Sequence, residues 1–268
     1  MQWEQLTSDD FARAVKDTGV CLLSLGVVER HGRHLPLGTD FLNGHAIACL
    51  AAEKEPAVVF PPFYFGQIYE ARCFPGTVTL RPALLLELLT GVLDEIGRNG
   101  FRKIILYNAH GGNAHLLRFL AQCTLWEEKP YSLYLYARQF TEAQQRRWRG
   151  VLESSRHGHA CECETSISLA NHPDLVKMRK LKGETAEPRA RLKGLASAWT
   201  GVHWYSDYPE HYAGDARRAT RKKGLALRAI EVESLAQHIA SVKADRVVPA
   251  LTREFFERER ALRTDEGR

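Results

Sequence analysis

The chain predicts an α/β fold with a mainly parallel central sheet covered by helices. Three observations carry that prediction. Short, nearly continuous apolar runs of strand length recur, helix-length segments separate them, and ligand-type polar residues stand just past the ends of two runs.

In chain order, Ser8 or Asp9 can cap a first helix reaching Lys16. Residues 20–28 are apolar almost throughout and β-branched at both ends, as in a strand buried on both faces. A helix over 42–53 leads to a short buried strand at 57–60. Pro82 opens a helix over 82–96, with leucines on successive turns and Gly100 as its stop. A strand at 103–107, a helix from 114 to about 127 and a strand at 132–136 follow. Residues 167–172 are helix-like, and 216–242 form one long helix packed outside the sheet.

The polar residues after the strands carry the functional signal. Glu29 and His31 follow the first strand, and in extended chain positions i and i+2 face one side. Asp40, nine residues on, either caps the next helix or turns toward the same space. His110, in Asn108-Ala109-His110-Gly111-Gly112-Asn113, lies just past the 103–107 strand, at the edge where open α/β sheets bind ligands. Carboxylate oxygens mixed with imidazole nitrogens suit Zn²⁺, Mn²⁺ or a similar divalent ion, and Asp40 is the natural bridge if there are two. A glycine turn with a solvated histidine and a plain N-cap aspartate are the simpler alternatives.

A third stretch, residues 157–166, crowds two histidines, two cysteines and two glutamates into ten positions. Glu164 is either a first-turn glutamate favoured by the helix dipole or a further ligand. The Cys-x-Cys spacing fits a zinc ribbon poorly, so Cys161 and Cys163 read as reduced lining residues, with a nucleophilic thiol as the alternative.

Taken together, Glu-x-His-Gly-x-His-Leu-Pro-Leu-x-Thr-Asp, Asn-x-His-Gly-Gly-Asn and His-Ala-x-Glu-x-Glu-Thr-Ser resemble the creatininase (creatinine amidohydrolase) family. The resemblance runs from about Leu22 to Leu169, with weaker support from Trp204 to Gly214. It implies a three-layer α/β/α sandwich and a hydrolase that uses a metal-activated water on a small-molecule amide, cyclic or a formamide. It also implies one or two divalent ions, Zn or Mn, and a homo-oligomer such as a hexamer. By position, Glu29, His31, Asp40 and His110 match the family's ligands, with Glu164 as a further carboxylate ligand or a catalytic acid. His159 matches a catalytic histidine that hydrogen-bonds substrate or shuttles a proton. Glu162 either shares that proton delivery or orients a ligand. His34, His45 and His115 read as structural.

Departures narrow the substrate. Creatininase itself carries a glutamate where this chain has Gly112, so that either Glu164 substitutes as a ligand or only one ion binds tightly; it carries another where this chain has Gly158, which argues against creatinine and points to a different member of the family. Other readings of the same motifs are hydrolysis of a C–C bond in a cyclic polyol ketone such as an oxidised inositol, a peptidase of cofactor maturation, and a non-catalytic metal-binding subunit.

With 268 residues, 44% of them hydrophobic, the chain can bury a sizeable core, and no linker or repeat divides residues 1–268. No apolar run approaches the ~20 residues of a membrane span, and the N-terminus lacks a signal-peptide pattern. Six cysteines spread over 21–163 fit a reducing compartment, so a cytoplasmic location is expected. The formal charge of +5, gathered at 177–193 and 217–223, reads as solvated faces, with no nucleic-acid-binding motif beside it. Aromatic-rich segments at 63–76 and 201–209 read as pocket wall, lid, core-pinned loop or protomer interface.

Overall fold

A computed structural model describes residues 1–136, 138–181, 187–195 and 197–265; part of the basic 177–193 run lies outside them. The sheet is built from β1 (Val20–Leu25), β2 (Val58–Val59), β3 (Lys103–Asn108) and β4 (Ser132–Tyr136). All three pairings are parallel, in the order β2-β1-β3-β4. Every residue of β1 is buried, which is why its sequence shows no polar alternation.

Alternate strand residues feed two apolar layers. Val20, Leu22, Ile105 and Tyr107 pack with α2 (Thr39–Lys54), α5 (Glu142–Val151), α6 (Glu162–Asn171) and α8 (Arg221–Ala244). Cys21, Leu23, Leu25, Ile104 and Leu106 pack with α1 (Ser8–Thr18), α3 (Pro82–Arg98) and α4 (Ala114–Cys123). The result is a three-layer α/β/α sandwich with a parallel sheet. A short helix, α7 (His203–Asp207), and a C-terminal helix, α9 (Val247–Asp265), complete the helices named here.

The order places β1 and β3 side by side while their connections diverge: β1 leads through α2 on one face to β2, and β3 leads through α4 on the other face to β4. The crevice where such connections part is where an open parallel sheet takes a ligand. Here it lies beyond Leu25 and Asn108, which are register partners.

Several boundaries differ from the sequence expectation, each for a local reason. The first strand ends at Leu25, before residue 28, because α2 crosses its exit: a Cβ on Gly26 would lie 2.3 Å from the Phe41 amide nitrogen. Asp40 therefore sits inside the first turn of α2, whose N-cap is Gly38. α6 begins at Glu162, ahead of residue 167, with Glu162 and Glu164 in its first turn. α4 stops at Cys123, where the Thr124 hydroxyl donates back to the Ala121 carbonyl. α5 was not anticipated; a Thr141–Gln144 capping box starts it.

Candidate metal centre

Five chain segments converge at the β1–β3 crevice. Glu29 and His31 come from the loop after β1, Asp40 from the first turn of α2, and His110 from the turn after β3. His159 comes from the segment before α6 and is locked by a two-way backbone pairing with Ala213, 2.8 and 2.9 Å, that also brings in His211. All six side chains are buried.

His110 is oriented from outside: its Nε2–H donates to the Gln67 carbonyl at 3.1 Å. That leaves Nδ1 facing inward, 2.9 Å from Glu29 Oε1 and 2.9 Å from Asp40 Oδ2. Both oxygens are buried and without a hydrogen-bond partner among the described residues. Asp40 Oδ1 lies 2.9 Å from His31 Nε2, so this carboxylate spans the two histidines with one oxygen each. Glu29 spans in the same way, its second oxygen Oε2 lying 2.5 Å from His211 Nε2.

Two converging anionic oxygens and an inward nitrogen repel one another unless a cation stands among them. A proton can serve. Burial disfavours charge on His110, yet Glu29 and Asp40 together outweigh it and hold its pKa well above the ordinary value. Burial likewise opposes the His31 cation, and Asp40 with Glu29 still pulls it up to about 9. Glu29 is held well below the usual carboxylate range by His110 and His159, against the upward push of burial. A divalent ion satisfies the same geometry with the donor types it prefers, N and O. Within this cluster two groups of described residues have ligand atoms mutually within 4.8 Å: Glu29, Asp40 and His110, and Glu29, His31 and His159. The residues present fit one ion or two.

A cavity of about 580 Å³ opens above them, lined also by Gln67, Glu70, His159, Glu164, Trp199 and Trp204. His159 donates Nε2–H to the Arg30 carbonyl at 2.7 Å, and burial, reinforced by the neighbouring His31 and His211, lowers its pKa to about 3. Glu164 lies outside both ligand groups but on the cavity wall. Burial first, then the negative charge of the Cys161 thiolate, pushes its carboxyl up to about 8.

A model of the creatininase (creatinine amidohydrolase) family matches residues 4–239. The chain belongs to the creatininase family. It is 32% identical over 241 residues to the mycofactocin precursor peptide peptidase of Mycolicibacterium smegmatis, covering 84% of this chain and 86% of that one. It is 24% identical to the 3-dehydro-scyllo-inosose hydrolase of Thermotoga maritima, covering 82% and 76%. Among solved structures, a mutant creatininase of Zn-Zn type superposes with a TM-score of 0.74 at 22% identity, over 91% of this chain and 98% of that one. A manganese creatininase superposes at 0.71 and 21%, over 91% and 99%. These likenesses establish the shared fold.

Within that family fold, one expected residue falls elsewhere. Glu162 does not reach the cavity; it is buried in an ion pair with Lys223 and accepts the backbone N–H groups of Glu153 and Ser154. Positions i and i+2 point apart on a helix, so Glu164 faces the crevice while Glu162 faces α8. His34 also lies apart, with Nε2 2.8 Å from Thr165 Oγ1. Gln67 and Glu70 lie in the 63–76 segment, one reading of which was a pocket wall, but neither was singled out, and His211 was not singled out either. The only sequence signal for His211 was the weaker family resemblance over residues 204–214. At Gly112 a Cβ would stand 2.5 Å from His110 Nε2 and 2.8 Å from Gln67 Oε1, so Gln67 fills the room a side chain would take there. No described helix is long and apolar enough to cross a membrane.

Proposed function

We propose that the protein is a metal-dependent hydrolase of a small-molecule amide C–N bond. The observation that carries this reading is the convergence of two buried carboxylate oxygens, Glu29 Oε1 and Asp40 Oδ2, each 2.9 Å from His110 Nδ1, at the floor of a substrate-sized cavity. In this reading Glu29, His31, Asp40 and His110 hold Zn²⁺ or Mn²⁺, one ion or two. A bound ion of this kind supplies a water whose pKa is near neutral and a positive charge for the carbonyl oxygen.

The chain's own groups then divide the work. Asp40 and Glu29 keep the floor negative. Glu164, with a carboxyl that retains its proton to about pH 8, gives that proton to the leaving nitrogen. His159, neutral near pH 7, holds the wall beside Glu29 and orients the substrate rather than carrying charge. Trp199 and Trp204 narrow the cavity on the far side, and the buried Trp204 Nε1–H, without a hydrogen-bond partner among the described residues, is a donor for a substrate oxygen. Collision at position 112 disfavours the carboxylate that creatininase uses there, so creatinine is not the expected substrate.

A second reading has a specific support. The relative at 32% identity is named as a precursor-peptide peptidase, so an amide within a short peptide is the competing substrate class. Metal-stripped protein reloaded with Zn²⁺ or Mn²⁺ and offered lactams, formamides, short peptides and cyclic polyol ketones tests both, with products read by mass spectrometry. Metal-dependent cleavage of a lactam or formamide is expected, and Glu164→Gln is expected to lower kcat by roughly 10²–10⁴ with metal content intact. Turnover of peptides alone would move the assignment to the second reading. Turnover of the ketones alone would overturn both.

A further inference from the structure

Beside the carboxylate centre lies a second cluster built from different donors. Cys161 is the N-cap of α6, with extended backbone (φ −83°, ψ −171°), and Cys163 is the second residue of that helix. Helical i and i+2 side chains normally diverge, but the extended cap swings Cys161 back, and the two sulfurs lie 3.2 Å apart. Ala160 adopts a left-handed conformation (φ 55°), unusual for a residue with a side chain, and the chain reverses there. His157 thereby returns toward the Cys161 sulfur. The ligand atoms of His157, Cys161 and Cys163 all lie within 4.8 Å of one another.

We propose that His157, Cys161 and Cys163 form a second metal site, specific for a soft or borderline ion such as Zn²⁺ and separate from the Glu29, Asp40 and His110 centre. Two thiolates and an imidazole are the donors a tetrahedral zinc ion takes, whereas the neighbouring centre offers no sulfur. The fourth position has somewhere to open. His157 and Cys163 line a cavity of about 500 Å³ that adjoins the one over Glu29, sharing Asp40, Ala109, Gly158 and Glu164 with it and lined also by Arg138, which gives an ion an entry path and room for a water. Two thiolates neutralise a divalent ion, so the site adds no net charge next to Arg138. A tetrahedral ion with bonds of about 2.3 Å sets its sulfurs roughly 3.8 Å apart, so the pair has to open by about half an ångström. A disulfide would require it to close to about 2.05 Å instead. Because Glu164 follows Cys163 directly, an ion here ties down the helix end that carries the proposed proton donor.

The test is a cobalt titration of the reduced, metal-stripped full chain under nitrogen. The wild type and Asp40→Asn are expected to develop the near-ultraviolet thiolate-to-cobalt charge-transfer band equally, and Cys163→Ser is expected to lose it. His157→Ala removes an exposed ligand without disturbing a packed position. Loss of a ligand costs at least as much as loss of an outer partner, so the cobalt dissociation constant should rise by about tenfold or more. Zinc should protect two thiols per chain from a disulfide reagent. Absence of the band in the folded wild type, its survival in Cys163→Ser, or a Cys161–Cys163 disulfide that forms equally with and without zinc would overturn the proposal. Since Asp40→Asn disables only the carboxylate centre, failure of that centre and failure of the thiolate site give different results.

Discussion

His211 Nε2 lies 2.5 Å from Glu29 Oε2, joining residues 182 positions apart at the floor of the crevice. Glu29 directs its other oxygen at His110, so His211 holds the carboxylate in the orientation the centre needs. Partners of this kind tune a ligand without touching the ion. His211→Ala is therefore expected to weaken ion binding by about 10- to 100-fold with secondary structure retained, read by calorimetric metal titration. Unchanged affinity would remove His211 from the centre.

Proton release on metal uptake follows from the same cluster. In the metal-free protein at pH 7 both His31, with a pKa of about 9, and His110, held well above its ordinary value, carry protons. An ion must displace them, so affinity should rise with pH up to about 9, with roughly two protons released per chain near pH 7. Calorimetry in buffers of different ionisation enthalpy measures this directly. The sign for metal-free stability is opposite: a raised histidine pKa stabilises fully below about 6.5, and that stabilisation is lost as pH rises through about 9. Binding that ignores pH would contradict the arrangement.

Glu162 is an anchor, and its variants should behave as such. Against the upward push of burial, Lys223 and Ser154 hold its carboxyl down at about 2. A depressed carboxylate stabilises above about 4.5 and stops doing so as pH falls through about 2. Glu162→Gln should therefore lower stability by about 1–3 kcal/mol at pH 7, with the difference in Tm shrinking toward pH 2. Turnover of the metal-loaded variant should stay within a few-fold. A fall of 10² or more with stability unchanged would return Glu162 to the role of proton donor.

The contrast between Glu162 and Glu164 shows where sequence reading reaches its limit. Glu29, His31, Asp40 and His110 were legible as a set because each follows a buried strand or opens the next helix, and the crevice lies at those strand ends. Glu162 and Glu164 sit in one helical turn, and which of them faces the crevice depends on where the helix begins. His211 was illegible because its place is set by the pairing of His159 with Ala213, a contact between segments with no strand pattern. The two-sided burial of β1 was plain in its apolar run, but its end at Leu25 depends on Phe41 approaching Gly26 from another element. Charge-rich α5 and α9 offered little apolar periodicity, although the Thr141–Gln144 capping box was there to be read.

The central claim is that Glu29, Asp40 and His110 hold a divalent ion. Elemental analysis of the purified wild type beside Asp40→Asn and His110→Ala, each checked for fold by circular dichroism, tests it most directly. If His157, Cys161 and Cys163 also bind, Cys163→Ser serves as the background for all three. At least one equivalent of Zn or Mn is expected in that background, and its loss in both substituted proteins. Equal metal content in all three, or none in the unsubstituted centre after incubation with Zn²⁺ and Mn²⁺, would contradict it.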